Sequence, residues 1–177
     1  GNLLTKGYAN AGKRDGRAKN ECNLLGVFMG RAWVFGNAIN TDLITPGRYN
    51  MSTNAAELAK ICFVEYRPEF AKAVKKGDFI VGGRNFGCGS SREHAVMAIK
   101  ASGVRAVIAK SFARIFYRNC INNGLLVIEM DTDGIKEGDE LEVDEEKLTV
   151  RNVTQNRNYD VRISPTILML EHEGGIV

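Results

Sequence analysis

The sequence predicts one mixed α/β domain, a partly parallel sheet or small barrel flanked by helices. Three observations lead to it. Residues 79–130 run strand, helix, strand, helix, strand, at the spacing of a right-handed parallel unit. Residues 140–163 instead alternate apolar and polar side chains, as antiparallel strands with one wet face do. A chain of 177 residues with 44% hydrophobic and 25% charged residues suits a single domain with a real core.

Each element has a local cause. Residues 1–28 are polar, rich in Gly, Asn, Lys and Arg, and show no periodicity. They are expected to be a disordered leader or an artificial extension, with the folded domain over 29–177. Met29 precedes the first strand-like run, 30–35. Residues 36–47 crowd turn formers around two apolar pairs, and 48–53 continue as loop. Thr53 or Asn54 caps a helix over 55–61, with Glu57 near the capping-box position. Pro68 opens a helix over 68–76 that Gly77 ends. Strand 79–83 leads through a glycine-rich turn into helix 91–101, which Gly103 stops. Strand 104–109, helix 112–121 and strand 125–130 complete the parallel part, and Asn122-Asn123-Gly124 closes the helix. Residues 140–144, 147–153 and 159–163 are the antiparallel strands. Ser164-Pro165 begins a last helix, 166–172, ended by Gly174-Gly175.

Composition excludes several functions. Lys6, Lys13, Arg14, Arg17 and Lys19 against Asp15 and Glu21 account for the whole net charge of +3, so residues 29–177 are neutral. The folded part offers no basic stripe for nucleic acid. No apolar run approaches the ~18 residues of a membrane helix. Cys22, Cys62, Cys88 and Cys120 lack the close spacing of a zinc or iron–sulfur ligand set. His94 and His172 stand far apart, so no metal site is expected. Leu24-Leu25-Gly26-Val27-Phe28 is too short for the apolar core of a secretory signal. Free thiols in a reducing cytoplasm are expected.

The chemistry concentrates in Asn85-Phe86-Gly87-Cys88-Gly89-Ser90-Ser91-Arg92-Glu93-His94-Ala95. Glycines allow a tight turn, and Ser90 or Ser91 suits a helix N-cap. The first N–H groups of a helix attract anions, and Arg92 adds a fixed positive charge. Such a cluster suits a small carboxylate or phosphate; it also describes a well-capped helix after an ordinary turn. The turn lacks both GxxxxGK[ST] and GxGxxG, which disfavours a nucleotide-binding module.

Three separated strings resemble the swivelling domain of the aconitase superfamily. Asn85–Ala95 is similar to its NFGxGSSREHA signature. Ala109–Phe116 and Asn119–Leu126 are similar to its AKSFARIF…N…NxGLL segment, and Asn40–Pro46 to its NTDxIxP string. The resemblance spans roughly 30–177 and implies a swivelling-type β/β/α domain. A free-standing chain of this size resembles the small subunits of 3-isopropylmalate dehydratase or homoaconitase. What that implies is a hydro-lyase active only with a large subunit, which carries the [4Fe–4S] cluster, while this chain binds no cofactor. The family reaction removes water from a small hydroxy-acid and adds it back on the neighbouring carbon.

Residue by residue, the resemblance makes Ser90 the base that removes a carbon-bound proton. A serine alkoxide needs stabilisation, which the helix start, the Gly89 and Ser91 N–H groups and Arg92 would supply. Arg92 is similar to a family arginine that binds substrate carboxylate, with Ser91 sharing the contact. Asp42, Thr41 and Thr45 match positions lining the same cleft, although an isolated Thr-Asp also serves turns. Cys88, Glu93 and His94 are expected to pack or to orient the helix. Arg114 and Arg118, four apart on one helix, suit either surface ion pairs or a face toward the large subunit.

Substrate choice is expected in Tyr49-Asn50-Met51-Ser52. The corresponding loop reads YL-Arg-Thr in homoaconitases and resembles YL-Val-Tyr in isopropylmalate enzymes. Met51 offers no partner for an extra carboxylate, whose burial unpaired is costly, and it adapts to alkyl groups. The expected reaction is therefore the isomerisation of 2-isopropylmalate to 3-isopropylmalate, in leucine biosynthesis. Asn50 and Ser52 depart from both patterns, and Arg48 lies within reach of the loop. Homoaconitase and dimethylmalate- or methylcitrate-type dehydratases remain as alternatives, with an anion-binding or scaffold module as the non-enzyme reading.

Overall fold

Strand β1 (Val27–Val34) is where the two halves of the sheet meet. The computed structural model describes residues 26–49, 54–90, 92–147 and 149–162. After β1 come a one-turn helix α1 (Thr41–Ile44), a 3-10 turn (Gly47–Tyr49), α2 (Ala55–Ile61), α3 (Pro68–Ala73) and β2 (Phe79–Val81). Helix α4 (Glu93–Ala101), β3 (Ala106–Ala109), α5 (Arg114–Asn122) and β4 (Leu126–Glu129) follow. Strands β5 (Glu140–Asp144), β6 (Thr149–Asn152) and β7 (Arg157–Asp160) end the described chain. The strand order is β4-β3-β2-β1-β5-β6-β7.

Residues 32–34 of β1 pair in parallel with β2, and β2–β3 and β3–β4 are parallel too. The first half of β1 pairs antiparallel with β5, which continues into β6 and β7. Val27 and Phe28 lie opposite Asp144 and Val143, so regular structure reaches back into the stretch expected to be leader. Gly30 is required inside β1: a Cβ there would sit 2.1 Å from the Gly77 carbonyl oxygen.

The parallel strands are buried on both faces, which is why they read as apolar runs. Trp33, Ile80, Val107 and Val127 face Leu58, Phe70, Val96, Ile99 and Phe116 of the helices. Phe79, Val81, Ile108 and Ile128 face the other way, with Leu141, Val143, Val150 and Tyr159. Two buried carboxylates tie the layers together. Asp78 accepts from Trp33 Nε1 at 3.0 Å, Arg31 N at 3.2 Å and Lys75 N at 2.9 Å. Asp139 accepts from Asn152 Nδ2 at 2.8 Å, Gln155 Nε2 at 2.7 Å and Lys136 N at 2.9 Å.

Several boundaries differ from expectation, each for a local reason. Helix α3 stops at Ala73, not residue 76, because residues 75–78 close a turn, with Asp78 N donating to the Lys75 carbonyl at 3.0 Å. Helix α5 starts at Arg114, because Phe112 is drawn into a bridge with Phe86. Strand β7 starts two residues earlier than expected, because Asn156, at φ 53°, completes the turn before it. The 41–44 stretch is helical, not loop: the Asn40 side chain accepts from Leu43 N at 2.9 Å and caps it. Asn54 caps α2 as expected, accepting from Ala56 N at 2.9 Å. The helix expected over 166–172 lies outside the described residues.

Candidate active site

Chemistry-bearing residues gather beyond the carboxyl ends of the parallel strands, where open α/β sheets bind their ligands. The segment leaving β2 is threaded between the segments leaving β1 and β3. On one side Gly87 N donates to the Ile39 carbonyl at 2.7 Å, and Thr41 N to the Cys88 carbonyl at 2.9 Å. On the other, Phe86 N donates to the Ser111 carbonyl at 3.0 Å, and Ala113 N to the Phe86 carbonyl at 2.9 Å. The sheet thus continues past its strands as isolated bridges, Asn40 with Cys88 and Phe86 with Phe112. Three strings far apart in sequence become neighbours through backbone hydrogen bonds.

Gly87 is the tightest point. It has φ 83°, and a Cβ would lie 2.1 Å from Phe116 Cγ. Phe116 is itself walled in by Phe86 and Phe112, with ring centroids 5.6 and 6.3 Å away. The aromatic residues of the two strings therefore form the floor under the loop that carries Ser90.

Ser90 is exposed, and helix α4 begins three residues later, at Glu93. The N-cap position falls one residue beyond the serines, which corrects the expected cap. Arg92 holds the N-cap position and makes no side-chain cap hydrogen bond. The physical reason is a tight local turn, in which Arg92 N donates to the Ser90 carbonyl at 2.9 Å. The Ser90 hydroxyl is thereby left off the helix end.

Helix α1 sets two adjacent residues against the motif. Thr41 is 2% exposed, and its hydroxyl donates to the Ser90 carbonyl at 3.0 Å and lies 3.4 Å from Ser90 Oγ. Asp42 Oδ1 sits 2.6 Å from Arg92 Nη1, although that nitrogen has no aligned hydrogen-bond partner among the described residues. Gly47 flanks the same guanidinium: a Cβ there would lie 3.1 Å from Nη1. The ion pair is partly exposed, so its net strength is modest. Thr45 is fully buried, with an unpartnered hydroxyl among the described residues.

Of the loop expected to set specificity, only Tyr49 lies within the described residues. Tyr49 is half-buried and receives a hydrogen bond from Arg48 Nη2 at 3.3 Å, while Arg48 pairs with Glu65 at 3.1 Å. Asn50, Met51 and Ser52 lie outside the described residues, as does Ser91. Glu93 accepts from Asn123 Nδ2 at 3.1 Å, and His94 is half-buried. Arg114 and Arg118 are exposed on α5 and enter no ion pair among the described residues. Residue-by-residue reading missed Asn40 and Gly47. An Asn followed by an acidic first turn is a helix-start signal that pointed to Asn40; nothing local pointed to Gly47.

An iron–sulfur cluster does not fit the described side chains. Among them no three of His, Cys, Asp and Glu are grouped to hold a metal ion. Cys62 and Cys120 are fully buried, and burial pushes both thiols well above their usual range, the opposite of a thiolate ligand. Cys88 is half-buried and unpaired. Among the described residues no helix is long and apolar enough to cross a membrane.

Residues 33–133 match the aconitase C-terminal domain family. The chain is 56% identical over 151 residues to 3-isopropylmalate dehydratase small subunit 1 of Archaeoglobus fulgidus, covering 84% of this chain and 94% of that one. It is 50% identical over 154 residues to the 3-isopropylmalate dehydratase small subunit of Caldicellulosiruptor saccharolyticus, covering 85% and 89%. The crystal structure of a 3-isopropylmalate dehydratase from Methanocaldococcus jannaschii superposes with a TM-score of 0.81 at 46% identity, covering 85% and 90%.

Proposed function

The chain belongs to the 3-isopropylmalate dehydratase small-subunit family, which carries the aconitase C-terminal domain, and we propose that its edge of Ser90, Arg92, Thr41 and Asp42 is one half of that enzyme's active site. The protein is the small subunit of a hydro-lyase that isomerises 2-isopropylmalate to 3-isopropylmalate by dehydration and rehydration, a step of leucine biosynthesis. The carrying observation is 56% identity across nearly the whole of a relative bearing that name. The anion-binding or scaffold reading does not explain that identity.

In this reading Ser90 Oγ, as the alkoxide, takes the carbon-bound proton of the substrate, and the bonding pair stays on the substrate carbon. Arg92 holds a substrate carboxylate, for which the planar guanidinium is suited. Asp42 keeps that guanidinium turned toward the cleft. Ser91 shares the carboxylate contact, and Thr45, whose hydroxyl is buried, belongs to the same half-site. Arg92 and the positive start of α4 favour negative charge at Ser90 Oγ. The [4Fe–4S] cluster, held by the large subunit, supplies Lewis acidity toward the departing hydroxyl. Action in the cytoplasm fits the unpaired thiols.

Met51 and its neighbours set the choice of an alkyl side group over a third carboxylate. Arg48 already has partners in Glu65 and Tyr49, surface contacts that compete modestly with its turning to that carboxylate. The test is to reconstitute the chain with its large subunit and assay 2-isopropylmalate and homocitrate side by side. Isopropylmalate is expected to be the better substrate and the chain alone inactive; preference for homocitrate would overturn the Met51 assignment.

A further inference from the structure

Thr41 is attached to the motif at three points. Its backbone N–H donates to the Cys88 carbonyl at 2.9 Å, its hydroxyl donates to the Ser90 carbonyl at 3.0 Å, and the same oxygen lies 3.4 Å from Ser90 Oγ. It is only 2% exposed, which places it behind the serine and not in the open cleft. Gly89, at φ 98°, lets the chain turn around it.

A threonine hydroxyl has one proton to give. While Ser90 is neutral, that proton goes to the Ser90 carbonyl. The same carbonyl also accepts from Arg92 N at 2.9 Å, so it keeps a partner if the Thr41 proton leaves. An alkoxide at Ser90 Oγ is a much stronger acceptor than a neutral carbonyl. Rotation of one O–H, with a few tenths of an ångström of closure, then carries the bond to Oγ. No buried group is orphaned by that rotation.

We propose that Thr41 is a positioning residue for Ser90: its hydroxyl fixes the serine backbone in the resting state and donates to Ser90 Oγ when that oxygen is ionised. This rests on the assignment of Ser90 as the base. It changes the expected role of Thr41 from lining the substrate cleft to supporting the base from behind. The proton stays on Thr41 throughout; only its hydrogen-bond partner changes.

The experiment uses the enzyme reconstituted with its large subunit. Thr41→Val keeps the shape and removes the donor, while Thr41→Ser keeps the donor and removes a methyl. Thr41→Val is expected to lower kcat about 10–100-fold, as loss of one donor among several should, with KM within about twofold. Its ascending pH limb of kcat should move to higher pH, because an unsupported alkoxide forms less readily. Thr41→Ser should restore both. An unchanged pH limb in Thr41→Val, or equal impairment in the two variants, would overturn the inference. Should Thr41→Val not assemble with the large subunit, Thr41→Cys, a far weaker donor of similar size, is read the same way. Ser90→Ala separates the two assignments. Undiminished turnover in it removes the base assignment itself, whereas an inactive Ser90→Ala beside an unaffected Thr41→Val removes only the role of Thr41.

Discussion

Gly87→Ala measures how tightly the motif loop is held, and Gly138→Ala provides its control. Both glycines have nearly the same backbone, φ 83° and φ 82°. They differ in surroundings: a Cβ at 87 would lie 2.1 Å from Phe116 Cγ, while a Cβ at 138 meets nothing within 4 Å. Gly138→Ala therefore costs the backbone strain alone, about 1–2 kcal/mol. Gly87→Ala adds overpacking against a ring that cannot swing aside, about 1–3 kcal/mol, for a total of about 2–5 kcal/mol. For a chain of this size that corresponds to a fall in Tm of about 4–20 °C. Urea and thermal unfolding of the two variants beside the parent chain gives both numbers. The packing account fails if the two variants unfold at the same midpoint.

Three further outcomes are expected. Asp78→Ala leaves the buried Trp33 Nε1 and the part-buried Arg31 and Lys75 N–H donors unmatched, so it should cost about 2–4 kcal/mol in urea unfolding, with Asp78→Asn less damaging. Asp139 titrates below its usual range: burial raises its pKa, but hydrogen bonds from Asn152, Lys136 N and Gln155 outweigh that. Its contribution is therefore full above the ordinary Asp pKa of about 3.9 and is lost as pH falls through the lower folded value; a Tm-against-pH curve should drop there and flatten in Asp139→Asn. Arg92→Lys should lower kcat/KM on isopropylmalate roughly 10–150-fold, the loss of one charged hydrogen bond, while Tm stays within about 2 °C because the Asp42 contact is partly exposed.

The chain of residues shows its fold class and its motif directly. Alternating β and α segments and the switch to period-2 patterning at 140 are local properties, and the sheet follows them. The Ser90-Ser91-Arg92 string is legible for the same reason, since two hydroxyls beside an arginine suit an anion wherever the chain places them. The exact start of α4 is not local. A serine cap would satisfy the helix, but the turn from Arg92 N back to the Ser90 carbonyl takes its place, and that depends on how residues 86–90 are pinned between two other segments.

What only the tertiary structure decided is proximity. Residues 40–42 are separated from 88–92 by nearly fifty positions, and no pattern within either string says that Thr41 touches Ser90 or that Asp42 meets Arg92. Parallel pairing of β1 with β2 brings their exits side by side, and the bridge between Asn40 and Cys88 extends that pairing into the site. Side-chain chemistry is written residue by residue, whereas the hydrogen bonds that aim it arise only when distant backbones share a sheet.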